Sequence, residues 1–243
     1  MAYNAPNRSP VVRASSFVEE DPVSLIFVAV RAVLVGGAAV YLARQVKKPD
    51  RYVGPFFARI MNTSHSALTD WSLTRVTMPP NATALDVGCG GGRTIEKLAR
   101  TAGTVYGIDY APGSVAASRS HNQQLISEKR VGIEQASVSK LPFPANFFDV
   151  VTAVETQYYW PDLVNDMREI LRVLKPGGQL MIAAETYQGG GNDWLLGPVM
   201  RLLGSHRLSL DDHRALFRQA GFTDIQIAEE RHKGWICATG RKP

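Results

Sequence analysis

The chain has 243 residues, of which 45% are hydrophobic, 20% charged and 9% aromatic. This balance is typical of a globular protein of one or two domains and excludes a disordered or fibrous chain. The net charge of +5 is small and dispersed, so charge alone does not indicate a nucleic-acid partner. Cys89 and Cys237 lie far apart without metal-ligand spacing, which excludes a zinc cluster or a disulfide scaffold and favours a reducing compartment.

The amino-terminal segment is predicted to contain a leader and an apolar helix. Residues 1–22 are polar and proline-enriched, and we expect them to be mobile. Residues 23–43 form an apolar run of about the length needed to cross a bilayer, interrupted by Arg31. Basic residues follow the run, so the positive-inside rule would leave the rest of the chain in the cytoplasm. Residues 23–47 are therefore predicted to form a membrane-anchoring helix; the alternative is a helix packed on protein.

From residue 51 onward, apolar strand patterns alternate with longer helical patterns, without an internal repeat or a low-complexity stretch, which predicts an α/β fold. Because a helix follows a strand repeatedly, we expect a doubly wound, mostly parallel sheet with right-handed crossovers. The last predicted helix begins with a capping pair, Ser209 and Asp212, and ends at Gly221. The predicted strands are 84–87, 105–108, 131–135, 150–154, 179–184, 225–228 and 235–240, and the predicted helices are 94–101, 113–124, 162–174 and 210–220.

A glycine-rich turn follows the first of these strands. Residues 84–93 read ALDVGCGGGR, a buried strand that runs into a turn and then a helix. Glycines let backbone amides approach a ligand, and a helix N-terminus adds partial positive charge, so the pattern indicates a nucleotide cofactor. A dinucleotide fold requires GxGxxG, but Arg93 stands where its last glycine should be. The observed pattern is DxGxGxG, formed by Asp86, Gly88, Gly90 and Gly92.

An acidic residue ends the second predicted strand. The run VYGID ends in Asp109, 23 residues after Asp86. A carboxylate at this place can accept both ribose hydroxyls of an adenosine. Acids at strand ends also anchor loops, but the distance from the glycine turn favours the ribose contact.

Together these blocks resemble a class I S-adenosylmethionine-dependent methyltransferase of the small-molecule, methyltransferase-11-like type, over residues 51–242. ALDVGCGGG resembles the cofactor loop, and VYGIDYAPGSVAASR the second strand with its helix. LPFPANFFDVV resembles the approach to strand four, and MREILRVLKPGGQLMI the helix and turn before strand five. The resemblance implies a seven-stranded, Rossmann-like sheet with an antiparallel last strand, S-adenosyl-L-methionine as cofactor, and methyl transfer by in-line displacement.

The resemblance also implies a set of cofactor contacts. Gly88, Gly90 and Gly92 would line the methionine and ribose, Asp86 would organise the loop, and Asp109 would hold the ribose. The adenine is usually held by an acidic side chain shortly before LPFP; Ser137 stands there, so its Oγ or a neighbouring backbone group is expected to serve. The expected cofactor-binding residues are Asp86, Gly88, Cys89, Gly90, Gly92, Asp109, Tyr110, Ser137, Val138 and Glu155, and no metal ligand is expected.

Three residues are candidates for catalysis. Glu155 follows the fourth strand at the carboxyl end of the sheet, where ligands bind, and is expected to be a general base or a cofactor contact. Tyr158 is the first residue of an aromatic run, 158–160. These side chains are expected either to line the acceptor pocket and face the sulfonium charge, or to pack as a cap on the end of the sheet. His65 lies in residues 51–71, which resemble the family's N-terminal lid, and it titrates near neutral pH; a structural histidine is the alternative.

The expected acceptor is small or lipid-like. In residues 187–207, glycines 189–191 precede an apolar helix, which predicts either a movable cover favouring an apolar acceptor or ordinary packing. Nucleic acid is disfavoured because ETQY replaces the Asn/Asp-Pro-Pro-Tyr pattern of adenine-specific enzymes. The sequence thus predicts a methyltransferase on the cytoplasmic side of a membrane. The alternatives are a non-catalytic cofactor-binding module attached to a membrane or partner, and a nicotinamide-dependent oxidoreductase; the sequence does not predict an oligomeric state.

Overall fold

A computed structural model of the protein describes residues 66–191, 193–202 and 204–243. The predicted leader, the predicted helix at residues 23–47 and the candidate His65 lie outside these described residues. Within them, no helix is both long and apolar enough to cross a bilayer.

One seven-stranded sheet organises the described residues. Its strands are β1 Thr83–Val87, β2 Thr104–Asp109, β3 Val131–Gln135, β4 Phe148–Val154, β5 Leu174–Ala184, β6 Thr223–Glu230 and β7 Trp235–Arg241. Their spatial order is β3-β2-β1-β4-β5-β7-β6. Strands β1 to β5 are parallel, whereas β7 is antiparallel to both of its neighbours, β5 and β6. This confirms the predicted doubly wound, mostly parallel sheet with an antiparallel last strand.

The central strands are apolar on both faces because packed elements cover both sides of the sheet. On β1, Ala84 and Leu85 are both fully buried but belong to different core clusters, and Val150 and Val151 repeat this alternation on β4. Side chains alternate between the faces of a strand, so each cluster marks one face. Continuous apolar runs are the expected pattern for parallel strands buried on both sides.

The four predicted helices are confirmed in place; helix 210–220 has the predicted ends, whereas the other three differ at their ends. The described helices are α1 Ser66–Leu73, α2 Arg93–Leu98, α3 Pro112–His121, α4 Gln123–Ser127, α5 Leu163–Val173, α6 Asp193–Leu202 and α7 Leu210–Ala220, with a 3-10 turn at Gln157–Tyr159. The predicted helix at 113–124 is divided at Asn122, whose Nδ2 donates to the carbonyls of Ser118 and Gly92, both at 3.0 Å. The predicted turn in RVLKPGG belongs to β5, because Leu174 already pairs with Phe148.

The strand order places a crevice next to β1. The chain runs outward from β1 through β2 to β3, and then returns to the other side of β1 with β4. The loops that leave β1 and β4 therefore diverge, and ligands of open α/β sheets bind in the crevice at such a switch point, outside the carboxyl ends of the strands. The glycine turn, Asp109 and Glu155 all follow strands at this edge.

Candidate functional site

The turn after β1 has left-handed backbone at three of its four glycines. Gly88, Gly90 and Gly92 have φ angles of +73°, +49° and +85°. A Cβ at Gly90 would meet nothing within 4 Å, whereas a Cβ at Gly92 would overlap the side chains of Asn122 and Ser118. Gly90 therefore borders open space that can receive a ligand, and the glycine at 92 is required by the packing of α2 against the end of α3.

Asp109, at the end of β2, joins this turn to the next helix. Its side chain is buried, its Oδ2 accepts from the Gly90 amide at 3.0 Å, and its Oδ1 accepts from the Ala111 amide at 2.8 Å. Burial raises the pKa of the Asp109 carboxyl, and the hydrogen bonds from Ala111 and Gly90 oppose that rise. Each carboxylate oxygen has a second acceptor position, so the group can hold the turn and still accept from ribose hydroxyls.

Asp86 lies in the buried end of β1 with a single side-chain donor. The Thr152 hydroxyl on β4 donates to its Oδ1 at 2.7 Å. Burial raises the pKa of Asp86 to about 7; the hydrogen bond from Thr152 lowers it, and the charge of Asp109 raises it further. This carboxyl therefore joins the two central strands beside the turn.

A cavity of about 520 Å³ opens at the carboxyl ends of β1, β2 and β4. Its size falls within the range of small-molecule and cofactor sites. It is lined by Val87, Gly88, Ile108, Asp109, Tyr110, Ala136, Ser137, Val138, Thr156, Tyr158, Tyr159, Trp160, Pro161, Gly204 and His206.

The expected cofactor-binding residues divide into two groups. Those that line the cavity are Gly88, Asp109, Tyr110, Ser137 and Val138, and those that are not among its lining residues are Asp86, Cys89, Gly90, Gly92 and Glu155. Ser137 Oγ accepts from the Ser139 amide at 3.2 Å, so its hydroxyl proton is still available to donate. Cys89 is buried in the core, and burial raises the pKa of its thiol well above the usual range.

Glu155 and Tyr158 contact each other, and of the two only Tyr158 is among the residues that line the cavity. The Tyr158 hydroxyl lies 3.1 Å from Glu155 Oε1 and 3.1 Å from the Thr186 carbonyl, and Glu155 Oε1 also accepts from the Glu185 amide. Burial, and then the charge of Glu155, raise the pKa of the Tyr158 phenol well above its usual range, so the phenol keeps its proton. The pair thus joins the ends of β4 and β5, while Tyr158 also lines the cavity.

Thr156 lines the cavity and belongs to the candidate run that begins at Glu155, although it was not singled out as a site residue. Its Oγ1 accepts from Trp160 Nε1 at 3.3 Å, and a Cβ on Gly88 would overlap it. Thr156 therefore separates the glycine turn from the aromatic side of the cavity. Its position one residue after Glu155 is the only signal that pointed to it.

The segment after α6 also reaches the cavity, through Gly204 and His206. The His206 amide donates to the Tyr158 carbonyl at 2.8 Å, which holds this segment against the 3-10 turn. The sequence predicts either a movable cover or ordinary packing for this segment and does not single out its histidine. At Gly190 and Gly191 a Cβ would press on the Tyr187 ring and the Arg231 carbonyl, so close packing explains these glycines and the hinge stays a prediction.

Fold and site together define a nucleoside-cofactor-binding α/β protein, since a glycine turn, a buried strand-end carboxylate and a cavity meet at the switch point of the sheet. A family model described as "Methyltransferase domain" matches residues 85–182. This range contains the glycine turn, Asp109 and the cavity's lining residues except Gly204 and His206.

Known proteins agree with this assignment. The chain is 27% identical over 190 residues to the uncharacterized methyltransferase YdaC of Bacillus subtilis, covering 76% of this chain and 96% of YdaC. It is 39% identical over 108 residues to the 2-methyl-6-phytyl-1,4-hydroquinone methyltransferase of Synechocystis, covering 44% of this chain and only 33% of that enzyme. The fold matches that of geranyl diphosphate C-methyltransferase from Streptomyces coelicolor, whose structure was solved with S-adenosyl-L-homocysteine. The TM-score is 0.63 at 14% sequence identity, and the match covers 74% of this chain and 79% of that enzyme.

The chain is a class I S-adenosylmethionine-dependent methyltransferase. Its cofactor is S-adenosylmethionine, and the residues present fit this cofactor because Gly90 has an open flank and the buried Asp109 carboxylate lies against the glycine turn. The nicotinamide alternative is thereby set aside.

Proposed function

We propose that the protein methylates a small, apolar or lipid-like acceptor bound against an aromatic wall formed by Tyr158, Tyr159 and Trp160. The observation that carries this proposal is the origin of the cavity's lining: Asp109 and Gly88 come from the ends of β2 and β1, and the aromatic wall follows the neighbouring strand β4. The relatives named for a phytyl hydroquinone and for geranyl diphosphate support an acceptor of apolar character.

We assign the cofactor to the side of the cavity formed by β1 and β2. Bound there, it supplies a methyl group on a positively charged sulfur. Asp109 would accept from the ribose, and Ser137 and Val138 would contact the adenine. The remaining expected residues act beside these contacts: Gly90 leaves room for the ligand, Asp86 joins β1 to β4, and Cys89, Gly92 and Glu155 shape the surrounding loops.

Alignment of the acceptor is the main task of the protein residues. Holding two reacting atoms about 3 to 3.5 Å apart lowers a barrier by roughly 7 to 11 kcal/mol. We propose that Glu155 and Tyr158 contribute by fixing the aromatic wall against β5, since the Glu155 carboxylate already accepts from Tyr158 and from the Glu185 amide. His65 stays a proposal for a proton acceptor from the preceding segment.

The experiment that tests the proposal has two stages. Calorimetry with S-adenosylmethionine and S-adenosylhomocysteine should show binding of both. Incubation with methyl-labelled cofactor and cell extract, separated into organic and aqueous phases, should then place labelled product in the organic phase. Label confined to the aqueous phase would contradict an apolar acceptor, and Asp109→Ala serves as the control for cofactor-dependent labelling.

We also propose that residues 23–43 attach the protein to a membrane, with a methyltransferase domain at residues 48–243 on the cytoplasmic side. The support comes from the sequence, in which basic residues follow the apolar run. The full chain should sediment with vesicles, and a chain beginning at residue 48 should not, while both bind the cofactor equally. A shortened chain that still sediments would contradict the anchor.

A further inference from the structure

We propose that His206 accepts the proton that the acceptor loses during methylation, and that the acceptor therefore presents a hydroxyl or phenol to the cofactor. This inference rests on the proposed function, because it takes the acceptor to lie in the cavity beside the aromatic wall. A hydroxyl oxygen is a weak nucleophile and gains from a positioned base, whereas a neutral amine needs none.

His206 is held at the cavity by its backbone. Its amide donates to the Tyr158 carbonyl at 2.8 Å, and the Tyr158 ring is fixed in turn by the contacts of its hydroxyl with Glu155 and Thr186. The His206 side chain is exposed at the cavity and forms no hydrogen bond with the described part of the chain. The next residue, Arg207, pairs with Asp193, so its charge is compensated.

The other titratable residues among the cavity's lining are poorly suited to take a proton. Burial raises the pKa of Tyr110 to about 12 and raises the pKa of Tyr158 and Tyr159 as well, so all three keep their protons near neutral pH. Both oxygens of Asp109 accept from backbone amides of the turn and of Ala111. Among the described residues that line the cavity, His206 is the remaining side chain with a ring nitrogen that can accept a proton, and its exposed position lets it reach a bound acceptor.

The step balances with these groups alone. The acceptor oxygen forms a bond to the methyl carbon, and the carbon–sulfur bond breaks with its electron pair left on sulfur. The O–H bond of the acceptor breaks, and its proton passes to a ring nitrogen of His206. Because the His206 side chain is exposed, the proton can then leave to solvent.

The first test compares the binding of two probes by the full chain. S-adenosylmethionine carries a positive sulfur that S-adenosylhomocysteine lacks, so an imidazolium facing the sulfur weakens binding of the first probe only. Between about pH 8 and pH 5.5, the ratio of their dissociation constants should rise about three- to tenfold more in the wild type than in His206→Gln. Protonation of Asp86 or Asp109 changes the ratio in both proteins and cancels in this comparison. His232→Gln, in the exposed β6–β7 turn, should follow the wild type.

The second test concerns the acceptor atom. Hot hydroiodic acid releases a methyl group from an ether as methyl iodide but leaves a methyl group on carbon. Hydroiodic acid should release the label from the product in the organic extract. His206→Gln should form less of this labelled product, while its affinity for the cofactor near pH 8 should equal that of the wild type.

Three results would overturn the inference. If the ratio of the two dissociation constants depends on pH in the same way in the wild type and in His206→Gln, and both proteins bind both probes, His206 does not face the sulfur. A label that hydroiodic acid does not release would exclude a hydroxyl acceptor. A wild type that binds neither probe would overturn the proposed function, and this inference with it.

Discussion

The glycines of the turn after β1 have different neighbours, and a matched pair of substitutions separates strain from ligand contact. Gly90 and Gly177 both have positive φ, +49° and +74°, and a Cβ at either meets nothing within 4 Å. Alanine at either position should cost about 1 to 2 kcal/mol of unfolding free energy, because the left-handed region disfavours a Cβ. Only Gly90→Ala should also weaken cofactor binding, by about tenfold or more in calorimetry. Equal cofactor affinity in the two variants would remove Gly90 from the site.

Asp109 is expected to be the strongest single contact of the cofactor side. Asp109→Ala removes a carboxylate acceptor from two backbone amides and, under the proposed assignment, from the ribose. A hydrogen bond to a charged group contributes about 1.5 to 3 kcal/mol, so the cofactor dissociation constant should rise roughly 10- to 150-fold. The control is Asp149→Ala, which removes a carboxylate bound to Lys175 and the Thr83 amide at the opposite ends of the strands. This control should lower stability and leave the dissociation constant unchanged.

Glu155 can be tested for a positioning role by comparing an amide with a truncation. In Glu155→Gln the amide oxygen can still accept from Tyr158 and the Glu185 amide, so we expect turnover within about threefold of the wild type. Glu155→Ala removes this acceptor from the Glu185 amide and the Tyr158 hydroxyl and should cost about 1 to 3 kcal/mol of unfolding free energy. If Glu155→Gln instead loses turnover at unchanged cofactor affinity, Glu155 is the general base that its place after β4 suggested.

Helix α7 illustrates how a local signal stabilises an element that covers the sheet. Ser209 Oγ accepts from the Asp212 amide at 3.1 Å, and Asp212 Oδ2 accepts from the Ser209 amide at 2.9 Å. The helix buries Leu216 and Phe217 in the larger core cluster. Removing the cap with Ser209→Ala should lower the unfolding free energy by about 1 kcal/mol, measured by urea denaturation. Ser209→Thr keeps the hydroxyl and should lie close to the wild type; equal loss in both would mean that the hydroxyl is not what stabilises the helix.

The stability of the whole ligand-free molecule should depend on pH through Asp86. Burial raises the pKa of Asp86 to about 7 from its ordinary 3.8. Because the pKa is raised in the folded state, protonated Asp86 stabilises the fold fully below about pH 4. This stabilisation is lost as the pH rises to about 7, which lowers the unfolding free energy by roughly 4 kcal/mol. Asp109, whose pKa is also raised, acts in the same direction.

The measurement is urea denaturation between about pH 4 and pH 8 for the wild type and Asp86→Asn, an interval that spans the titration of a buried carboxyl. The asparagine keeps an acceptor for Thr152 and does not titrate, so the stability of the variant minus that of the wild type should increase with pH. Carboxyls whose pKa is lowered, such as Asp149 and Glu169, favour stability at higher pH in both proteins. Their contribution to the unfolding free energy therefore cancels in the difference between variant and wild type. A difference that does not change with pH would mean that Asp86 titrates normally.

The sequence by itself determined the class of sheet, the cofactor turn and the cap of α7. Each of these depends on neighbours along the chain: alternating strand and helix patterns, glycines beside one strand, and a serine three residues before an aspartate. Asp109 could be paired with the turn because consecutive parallel strands end at the same edge of the sheet. The ends of helices and the start of β5 were less predictable, since side-chain contacts from other elements decide them.

Only the tertiary structure decided what the individual side chains of the site face. Gly92 packs against Asn122, and Glu155 accepts from the Glu185 amide, each across 30 positions of the chain. His206 meets the aromatic wall because a backbone hydrogen bond joins it to Tyr158. No local pattern encodes these contacts, because they arise where separate elements pack, and the packing of the whole core sets their geometry.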